Sequence, residues 1–262
     1  MHISKKVLTE MLHYRELLRQ LILKDIKLKY RRSYLGYLWS ILNPLLMMLI
    51  LVTVFSNLFR FDIPNFSVYV LSGQVIFNFF AEATSMSVSS IISNASLLKK
   101  TYVPKYIFTI SKVSSSLVNL IFSMIALALV MIVTNVVPTL NILLFPIVFL
   151  EIYIFCLGLG LLLASLSVFF RDIQYLWGVF ISIWMYLSPI IYPVNIIPLE
   201  YRWYYENLNP MYIYITQFRE IILYGESINL ESIFQGSFYA IAILIIGIYI
   251  FFTKQKQFIL YI

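Results

Sequence analysis

The chain has 262 residues, of which 61% are hydrophobic and only 12% are charged, and its formal net charge is +7. A soluble domain carries roughly 25% charged residues, so this composition excludes a water-exposed globular protein and indicates an all-α integral membrane protein with one membrane domain. The single cysteine, Cys156, excludes an intrachain disulfide framework and any multi-cysteine metal site.

Residues 1–32 are predicted to form a cytoplasmic amphipathic helix that lies in the membrane interface. Its lysines and arginines would face the headgroups, and its apolar side would face the acyl boundary. The apolar residues recur at mixed spacings of three and four and are Leu8, Met11, Leu12, Leu18, Leu21 and Ile22. Arg15 interrupts the apolar side, so a basic tail that only sets the topology is the alternative.

Windows with few or no charged residues predict six transmembrane helices, because a bilayer core of about 30 Å needs roughly 20 residues of helix. The windows are Ser33–Phe59, Val68–Ile92, Ile107–Val137, Leu143–Phe169, Ile173–Val194 and Ile233–Phe252. The membrane domain therefore covers residues 33–254, and residues 255–262 form a cytoplasmic tail.

The distribution of lysine and arginine predicts the orientation of these spans. With the N-terminus inside, sixteen of these residues lie on the inner side, and only Arg60, Arg202 and Arg219 lie outside. Cytoplasmic loops carry the excess positive charge, so both termini are expected in the cytoplasm. The positive net charge is therefore explained by the topology. Membrane lipids are expected partners, and nucleic acid is not.

Two polar segments connect the predicted spans. SNASLLKKTYVPKYI, residues 93–107, lies on the cytoplasmic side, and Asn94 or Ser96 is a candidate cap for a short helix with two exposed leucines, Leu97 and Leu98. Such a helix would be a docking surface, and the alternative is a basic loop. Residues 195–231 are too polar to span and too aromatic for a solvated loop, so two short helices in the outer leaflet, broken near Asn209-Pro210, are predicted there.

The sequence contains no recognisable catalytic cluster. It has no G-x-x-x-x-G-K-[ST] loop, and His2 and His13 have no neighbours at metal-ligand spacing, so neither a metal nor a cofactor is expected on this chain. Glu82 and Glu151 are the acids inside predicted spans, where an acid usually faces a partner or a wet cavity. Ion coupling through Glu82 is the alternative to a buried or interfacial role.

Aromatic residues cluster near the ends of the first and fifth predicted spans. Flat aromatic rings can contact the apolar C–H faces of sugars, so these residues are candidates for lining a channel that passes a sugar chain. They are Tyr34, Tyr37, Trp39, Trp177, Trp184, Tyr186 and Tyr192. The alternative is an ordinary interfacial aromatic belt.

Four motifs, taken in order, resemble the permease subunit of bacterial ABC exporters of O-antigen, capsule-like glycans or teichoic acids. They are Tyr34-Leu35-Gly36-Tyr37-Leu38-Trp39-Ser40-Ile41-Leu42-Asn43-Pro44, then Phe170-Arg171-Asp172-Ile173, then Ser188-Pro189-Ile190-Ile191-Tyr192-Pro193, and Asn209-Pro210 with Phe218-Arg219. The resemblance covers essentially the whole chain.

The resemblance implies a homodimer in the bacterial cytoplasmic membrane that moves a lipid-linked polysaccharide through one shared channel. Two copies of a separate ATPase subunit would bind ATP and Mg on the cytoplasmic side. Residues 195–231 would form the outer gate, and residues 93–107 would be the coupling helix. The residues implied in coupling are Asn94, Ser96, Leu97, Leu98, Lys99, Lys100, Tyr102 and Pro104.

Two other functions fit a multi-span chain. A membrane transferase acting on lipid-linked sugars needs a polar catalytic cluster, usually histidines or paired acids, and the sequence shows none. An ion-coupled secondary transporter needs more intramembrane acids than Glu82 and Glu151. The exporter is therefore the predicted function.

Overall fold

The computed structural model of the chain describes residues 14–29, 31, 33–58 and 63–262, and in these ranges the chain forms helices joined by turns and irregular segments. Several residues of the predictions above lie outside the described ranges. They are Leu8, Met11 and Leu12 of the interface helix, His2, His13 and the external Arg60.

Eleven α-helices occur in the described ranges. They are α1 Arg15–Lys29, α2 Trp39–Leu58, α3 Phe66–Val88, α4 Ala95–Lys100, α5 Tyr106–Val133, α6 Phe145–Phe169, α7 Ile173–Tyr186, α8 Leu199–Leu208, α9 Pro210–Arg219, α10 Leu230–Lys254 and α11 Phe258–Tyr261. A 3₁₀ turn, Gly36–Leu38, leads into α2, and a π-helical turn, Glu220–Tyr224, follows α9.

Within the part of the chain that the structure describes, five helical segments are long and apolar enough to cross a membrane. They are Gly36–Phe55, Phe66–Val88, Tyr106–Val133, Leu140–Phe169 and Leu230–Tyr261. The predicted fifth span is different, because α7 has only 14 residues, or about 21 Å of helix, and ends before Ser188-Pro189. A residue before proline is biased away from the helical region, so the apolar run continues as an irregular segment. The sequence of apolar residues alone did not distinguish these two conformations.

Helix α3 is the centre of the bundle, with sixteen of its 23 residues buried against α2, α5, α6 and α9. Helix α2 touches the bundle along one stripe, in which Ser40, Pro44 and Met48 are buried at helical spacing. None of the residues of α7 is buried within this chain. The surfaces of α2 and α7 are therefore left for lipid or for another protein.

At one end of the bundle, which we call the α4 end, α1 and α4 pack on the ends of the long helices. Leu21 of α1 and Leu98 of α4 share an apolar cluster with Phe108, Phe251 and Phe258. The opposite end, which we call the α9 end, is closed by α8 and α9. Two ten-residue helices broken at Asn209 are thus present where two short helices were predicted, and α9 is largely buried.

Helices α6 and α10 make the most extensive helix pair, and their backbones touch at Gly158 and Gly247. A Cβ atom added at Gly247 would collide with the carbonyl group of Gly158. Small residues permit this kind of close approach between membrane helices, where van der Waals packing drives association.

We expect Gly247→Ala to lower the stability of the fold by about 1–3 kcal/mol, because the backbones must move apart to admit a methyl group. Gly178→Ala is the matched control, since nothing lies within 4 Å of a Cβ atom at Gly178. Thermal unfolding of the purified variants in detergent measures the difference. Equal melting temperatures for the two variants would show that the α6–α10 contact is not tight.

Candidate functional site

A groove of about 770 Å³ runs along α3, between α2 and the segment that follows α7. Its α3 wall carries Gln74, Asn78, Glu82 and Ser85, which recur at spacings of four, four and three. Residues at such spacings share one face of a helix. A membrane helix with a continuous polar face needs a wet cavity or a polar partner on that face, and the groove provides it.

The other walls of the groove add polar groups and one aromatic ring. Helix α5 contributes Asn119 and Ser123, while α2 contributes Trp39, Ser40 and Asn43. Ile190 and Ile191, in the irregular segment after α7, line the groove near the α9 end. The sequence reasoning found Glu82 and Trp39 but missed the other polar residues, although their helical spacing inside apolar windows was a readable signal.

Glu82 is ion-paired within the groove wall. The ammonium group of Lys29, in the last turn of α1, lies 2.6 Å from Glu82 Oε1, and Asn119 Nδ2 donates a hydrogen bond to the same oxygen at 2.7 Å. Glu82 therefore has polar partners, one of the two environments that its position in an apolar window predicted, and it also lines the groove. Its charge is already balanced, which weakens the ion-coupling alternative.

A second ion pair fixes α1 to α5. Lys112 Nζ lies 2.7 Å from Asp25 Oδ1, and the two side chains are only 14% and 6% exposed. Ser115 donates a hydrogen bond to Asp25 Oδ2 at 3.4 Å. The polar face of the interface helix thus binds to the bundle itself, in addition to the contact with headgroups that the sequence predicted.

Glu151 has a different environment from Glu82. It is buried between α6, α9 and α10, and the Ser237 hydroxyl donates a hydrogen bond to Glu151 Oε1 at 2.7 Å. The glycine at position 236 leaves room for the carboxyl group, since a Cβ atom there would collide with Glu151 Oε2. Glu151 is absent from the groove lining, so its geometry is that of a packing contact between three helices.

Arg219 is the centre of the α9 end. Its guanidinium donates hydrogen bonds to three backbone carbonyl oxygens, at 2.6 Å to Pro189, 3.1 Å to Ile190 and 2.9 Å to Tyr69. It also lies over the Tyr69 ring, 3.4 Å from the centroid. The sequence places Arg219 on the outer side, and the structure shows that its side chain is buried. Its guanidinium supplies donors to two carbonyl groups of the irregular segment after α7 and to one in the first turn of α3.

Asn209 joins α7 to α9. Its side-chain oxygen caps α9 by accepting hydrogen bonds from the Met211 and Tyr212 amides, and it accepts another from Trp184 Nε1 at 2.8 Å. Its amide nitrogen donates to the Leu187 carbonyl at 3.0 Å. The motifs at residues 188–193, 209–210 and 218–219 therefore contact one another at the α9 end. We call this arrangement of hydrogen bonds the closure.

The seven aromatic candidates do not share one cavity. Trp39 lines the groove, whereas Trp177 and Trp184 line a separate apolar cavity of about 860 Å³ between α7, α8 and α10, and both pack on Phe80. Tyr37 stacks on Phe122. Tyr192 hydrogen-bonds Tyr205 in the α9 closure, and Tyr34 and Tyr186 are exposed on the surface.

The coupling segment forms the short helix that was predicted, but its leucines do not both face outward. Leu98 is 7% exposed and packs in the cluster of its own chain, and Leu97 is half-buried against the same cluster. The prediction of two exposed leucines is therefore wrong for this segment, because the helix must bury an apolar side to be held on the bundle.

The remaining coupling candidates divide by exposure. Tyr102 is fully exposed, as are most of the polar side chains of the segment, Ser96, Lys99 and Lys100, while Pro104 is half-buried. Asn94 occupies the cap position of α4, but its side chain donates to the Ser90 carbonyl and caps no amide. Beside this segment, Lys105 donates to the Gln255 carbonyl, and burial lowers the pKa of its ammonium group.

Comparisons with known proteins converge on one family. Residues 16–223 match the family described as ABC-2 type transporter. The chain is 30% identical to the O-antigen export system permease protein RfbA of Myxococcus xanthus over 97% of this chain and 98% of that protein. It is 30% identical to RfbA of Klebsiella pneumoniae over 90% of both chains, and 25% identical to the polysialic acid transport protein KpsM of Escherichia coli over 90% and 92%.

We expect Arg219→Met to destabilise the fold by about 3 kcal/mol, because the Ile190 carbonyl loses its donor from Arg219 and the Pro189 and Tyr69 carbonyls each lose one of two side-chain donors. Arg219→Lys should recover only part of this loss, since an ammonium group cannot reproduce the planar fork. Arg202→Met is the control, because Arg202 makes one long hydrogen bond of 3.4 Å to Asn195. Thermal unfolding and the rate of proteolysis near residues 188–198 measure the effect, and wild-type behaviour of Arg219→Met would exclude the closure described above.

Proposed function

The chain belongs to the ABC-2 type transporter family, and on that premise we propose that it is the membrane subunit of an ATP-driven exporter of lipid-linked polysaccharide. Members of this family are transport subunits, and ATP hydrolysis takes place on a separate subunit. The observation that carries the proposal for this chain is the polar groove along α3. Its relatives named above export O-antigen or transport polysialic acid, so a hydroxyl-rich polymer is the substrate class.

The chemistry of the groove supports a neutral, hydroxyl-rich substrate. Amides and hydroxyls supply most of its polar groups, and the Lys29 and Glu82 charges cancel. The side-chain oxygen of Gln74 is buried and accepts no hydrogen bond within the described residues. A sugar hydroxyl in the groove would offer that oxygen a donor, which lowers the cost of a buried polar atom. Trp39 adds a flat ring at the groove wall.

The open side of the groove supports a homodimer. Helix α2 forms one wall of the groove but is buried only along a single stripe, and α7 packs on the bundle along one half-buried side and leaves the rest of its surface exposed. Polar residues facing lipid would be costly, so a second copy placed against α2 and α7 would enclose the two grooves in one channel. In this arrangement α7 and the segment held by Arg219 together make the sixth crossing of the membrane.

The charge distribution supports placing the α4 end in the cytoplasm. Lys99, Lys100, Lys105, Lys254 and Lys256 all lie at that end. Lysine excess marks the cytoplasmic side, so both termini would lie in the cytoplasm of the bacterial cell. The α8–α9 closure would then be the outer gate.

We place the ATPase contact on the exposed side of the α4 segment. Tyr102 projects fully from the protein surface, and aromatic side chains are frequent anchors in interfaces, where rim charges contribute little. The partner ATPase would bind ATP and Mg in two copies. Leu98 would transmit the force, since its side chain is packed into the bundle.

Export in a deletion strain tests the proposed function. Deleting the gene should abolish surface glycan and leave lipid-linked glycan inside the cell, and the intact gene should restore export only with an active ABC ATPase. Continued export with a catalytically inactive ATPase would favour the ion-coupled transporter. Intact surface glycan in the deletion strain would exclude the function.

We expect Asn78→Leu to reduce glycan export by about tenfold without changing assembly, because it fills the groove and breaks the polar face of α3. Thr253→Leu is the control, since Thr253 is exposed on α10 near the α4 end. Surface glycan per unit of membrane-inserted protein is the measurement. Undiminished export would show that the groove does not carry the polymer.

We expect Tyr102→Ala to weaken binding of the ATPase by about tenfold or more, as loss of an interface anchor typically does, while the membrane subunit remains stable. Lys99→Ala with Lys100→Ala should have a milder effect. Leu98→Asp should instead unfold the α4 end, because it places a charge in an apolar cluster. Co-purification and thermal unfolding separate these effects. If Tyr102→Ala binds the ATPase as tightly as the wild type, the α4 segment is not part of the interface with the ATPase.

A further inference from the structure

The side chains of Lys29 and Glu82 form part of the wall between two cavities. A smaller cavity of about 390 Å³ lies beneath α1, and we call it the α1 cavity. Lys29, Glu82 and Asn119 line both the α1 cavity and the groove. Moving the Lys29 side chain away from Glu82 would therefore join the two spaces.

The α1 cavity has the lining that an amphiphile requires. Ile26, Leu28 and Met86 supply apolar surface, whereas Lys29 and Lys112 supply positive charge, each paired with a carboxylate of the same lining, Glu82 and Asp25. Helix α1 has the composition of a helix that lies at the membrane interface, where lipid headgroups are found. An amphiphile with a negative headgroup could place its chain against the apolar residues and its headgroup near the lysines.

The two ion pairs that hold α1 differ in strength. Asp25 and Lys112 are almost fully buried, so removing either partner would leave an uncompensated charge. Lys29 and Glu82 are 43% and 26% exposed, and an ion pair with that exposure contributes little net free energy. The first pair is a fixed attachment, and the second pair is easily exchanged.

We propose that Lys29 binds the phosphate of a lipid with an anionic headgroup in exchange for Glu82, and that this exchange opens the α1 cavity into the groove; the phosphate of phosphatidylcholine is neutralised by its own choline and does not compete. Lysine is a common phosphate ligand because its ammonium group is a compact charge with three donors. Glu82 keeps the hydrogen bond from Asn119 after Lys29 leaves. The inference rests on the proposed function, since it names the part of a lipid-linked substrate that this site recognises.

If the exchange occurs, substituting the two partners of the ion pair should change the affinity for the lipid in opposite directions. We expect Lys29→Gln to weaken binding of phosphatidic acid at least tenfold, equivalent to about 1.4 kcal/mol. Glu82→Gln should tighten binding by about threefold, because the carboxylate no longer competes for Lys29. A purely structural ion pair would shift both variants in the same direction.

Native mass spectrometry of the full chain with its ATPase, in phosphatidylcholine nanodiscs titrated with phosphatidic acid, measures this affinity and shows that each complex is intact. Lys27→Gln is the matched control, because Lys27 lies on α1, is exposed and lines neither cavity. Diacylglycerol replaces phosphatidic acid in a second arm, and inorganic phosphate is the competitor in a third. The expected result is binding of phosphatidic acid alone, with wild-type affinity in Lys27→Gln.

Three results would overturn the proposal. Equal losses in Lys27→Gln and Lys29→Gln would reduce the effect to general attraction between α1 and anionic lipid. Equal binding of diacylglycerol would show that the phosphate is not recognised, and full competition by inorganic phosphate would show that the site binds phosphate and not a lipid. Weaker binding by Glu82→Gln would make the pair structural. None of these results changes the outcome of the deletion strain, so the proposed function is tested separately.

Discussion

The hydrogen bonds of Arg219 to the carbonyl groups of Tyr69, Pro189 and Ile190 are the interaction on which the rest of the membrane region depends. A chain that leaves helical conformation inside a bilayer exposes backbone groups that cost several kcal/mol each without a partner. Helix α7 ends after 14 residues, and Arg219 supplies the donors that its continuation lacks. Because Ile190 also lines the groove, the same contacts fix the shape of the groove at its α9 end. The guanidinium fits there because position 73 is glycine, where a Cβ atom would lie 2.7 Å from Arg219 Nη2.

Two cationic side chains hold the structure near the two ends of the groove, in very different surroundings: Lys29 lines the groove, and Arg219 binds Ile190, which lines it. At the α9 end, Arg219 is almost completely buried and bound by several carbonyl groups, so its release would require the closure to unfold. At the α4 end, the Lys29 side chain is 43% exposed and forms an ion pair with the Glu82 carboxylate. Breaking the contacts of Arg219 would leave a desolvated charge without partners, which costs much free energy. Breaking the partly exposed Lys29–Glu82 pair costs little, because solvent screens the charges. Directional movement of a substrate is easier to arrange when the entrance yields more readily than the far end.

The sequence predicted the helical class, the positions of five long spans and the two short helices at Leu199–Leu208 and Pro210–Arg219, because apolar length and the Asn209-Pro210 break are local signals. It did not predict the early end of α7, since the residues that follow are as apolar as the helix itself. It also treated Leu98 as exposed and did not find the partners of Arg219, because the residues that these two side chains contact lie far away in the chain. The polar stripe of α3 was readable from its spacing, whereas the partner of Glu82 was not, since Lys29 is 53 residues away.

The burial of Leu98 follows from what a coupling segment must do in the proposed function. A helix as short as α4 is not stable alone, so it can transmit a displacement only if it is packed rigidly on the helices it moves. Leu98 packs in one apolar cluster with Leu21 of α1, Phe108 of α5 and Phe251 of α10. Lys105 adds a second connection, because it donates to the Gln255 carbonyl and lies over the Phe258 ring. A push on the exposed side of α4 would therefore reach α1 and the neighbouring ends of α5 and α10 together, and α1 carries Lys29, which lines the groove.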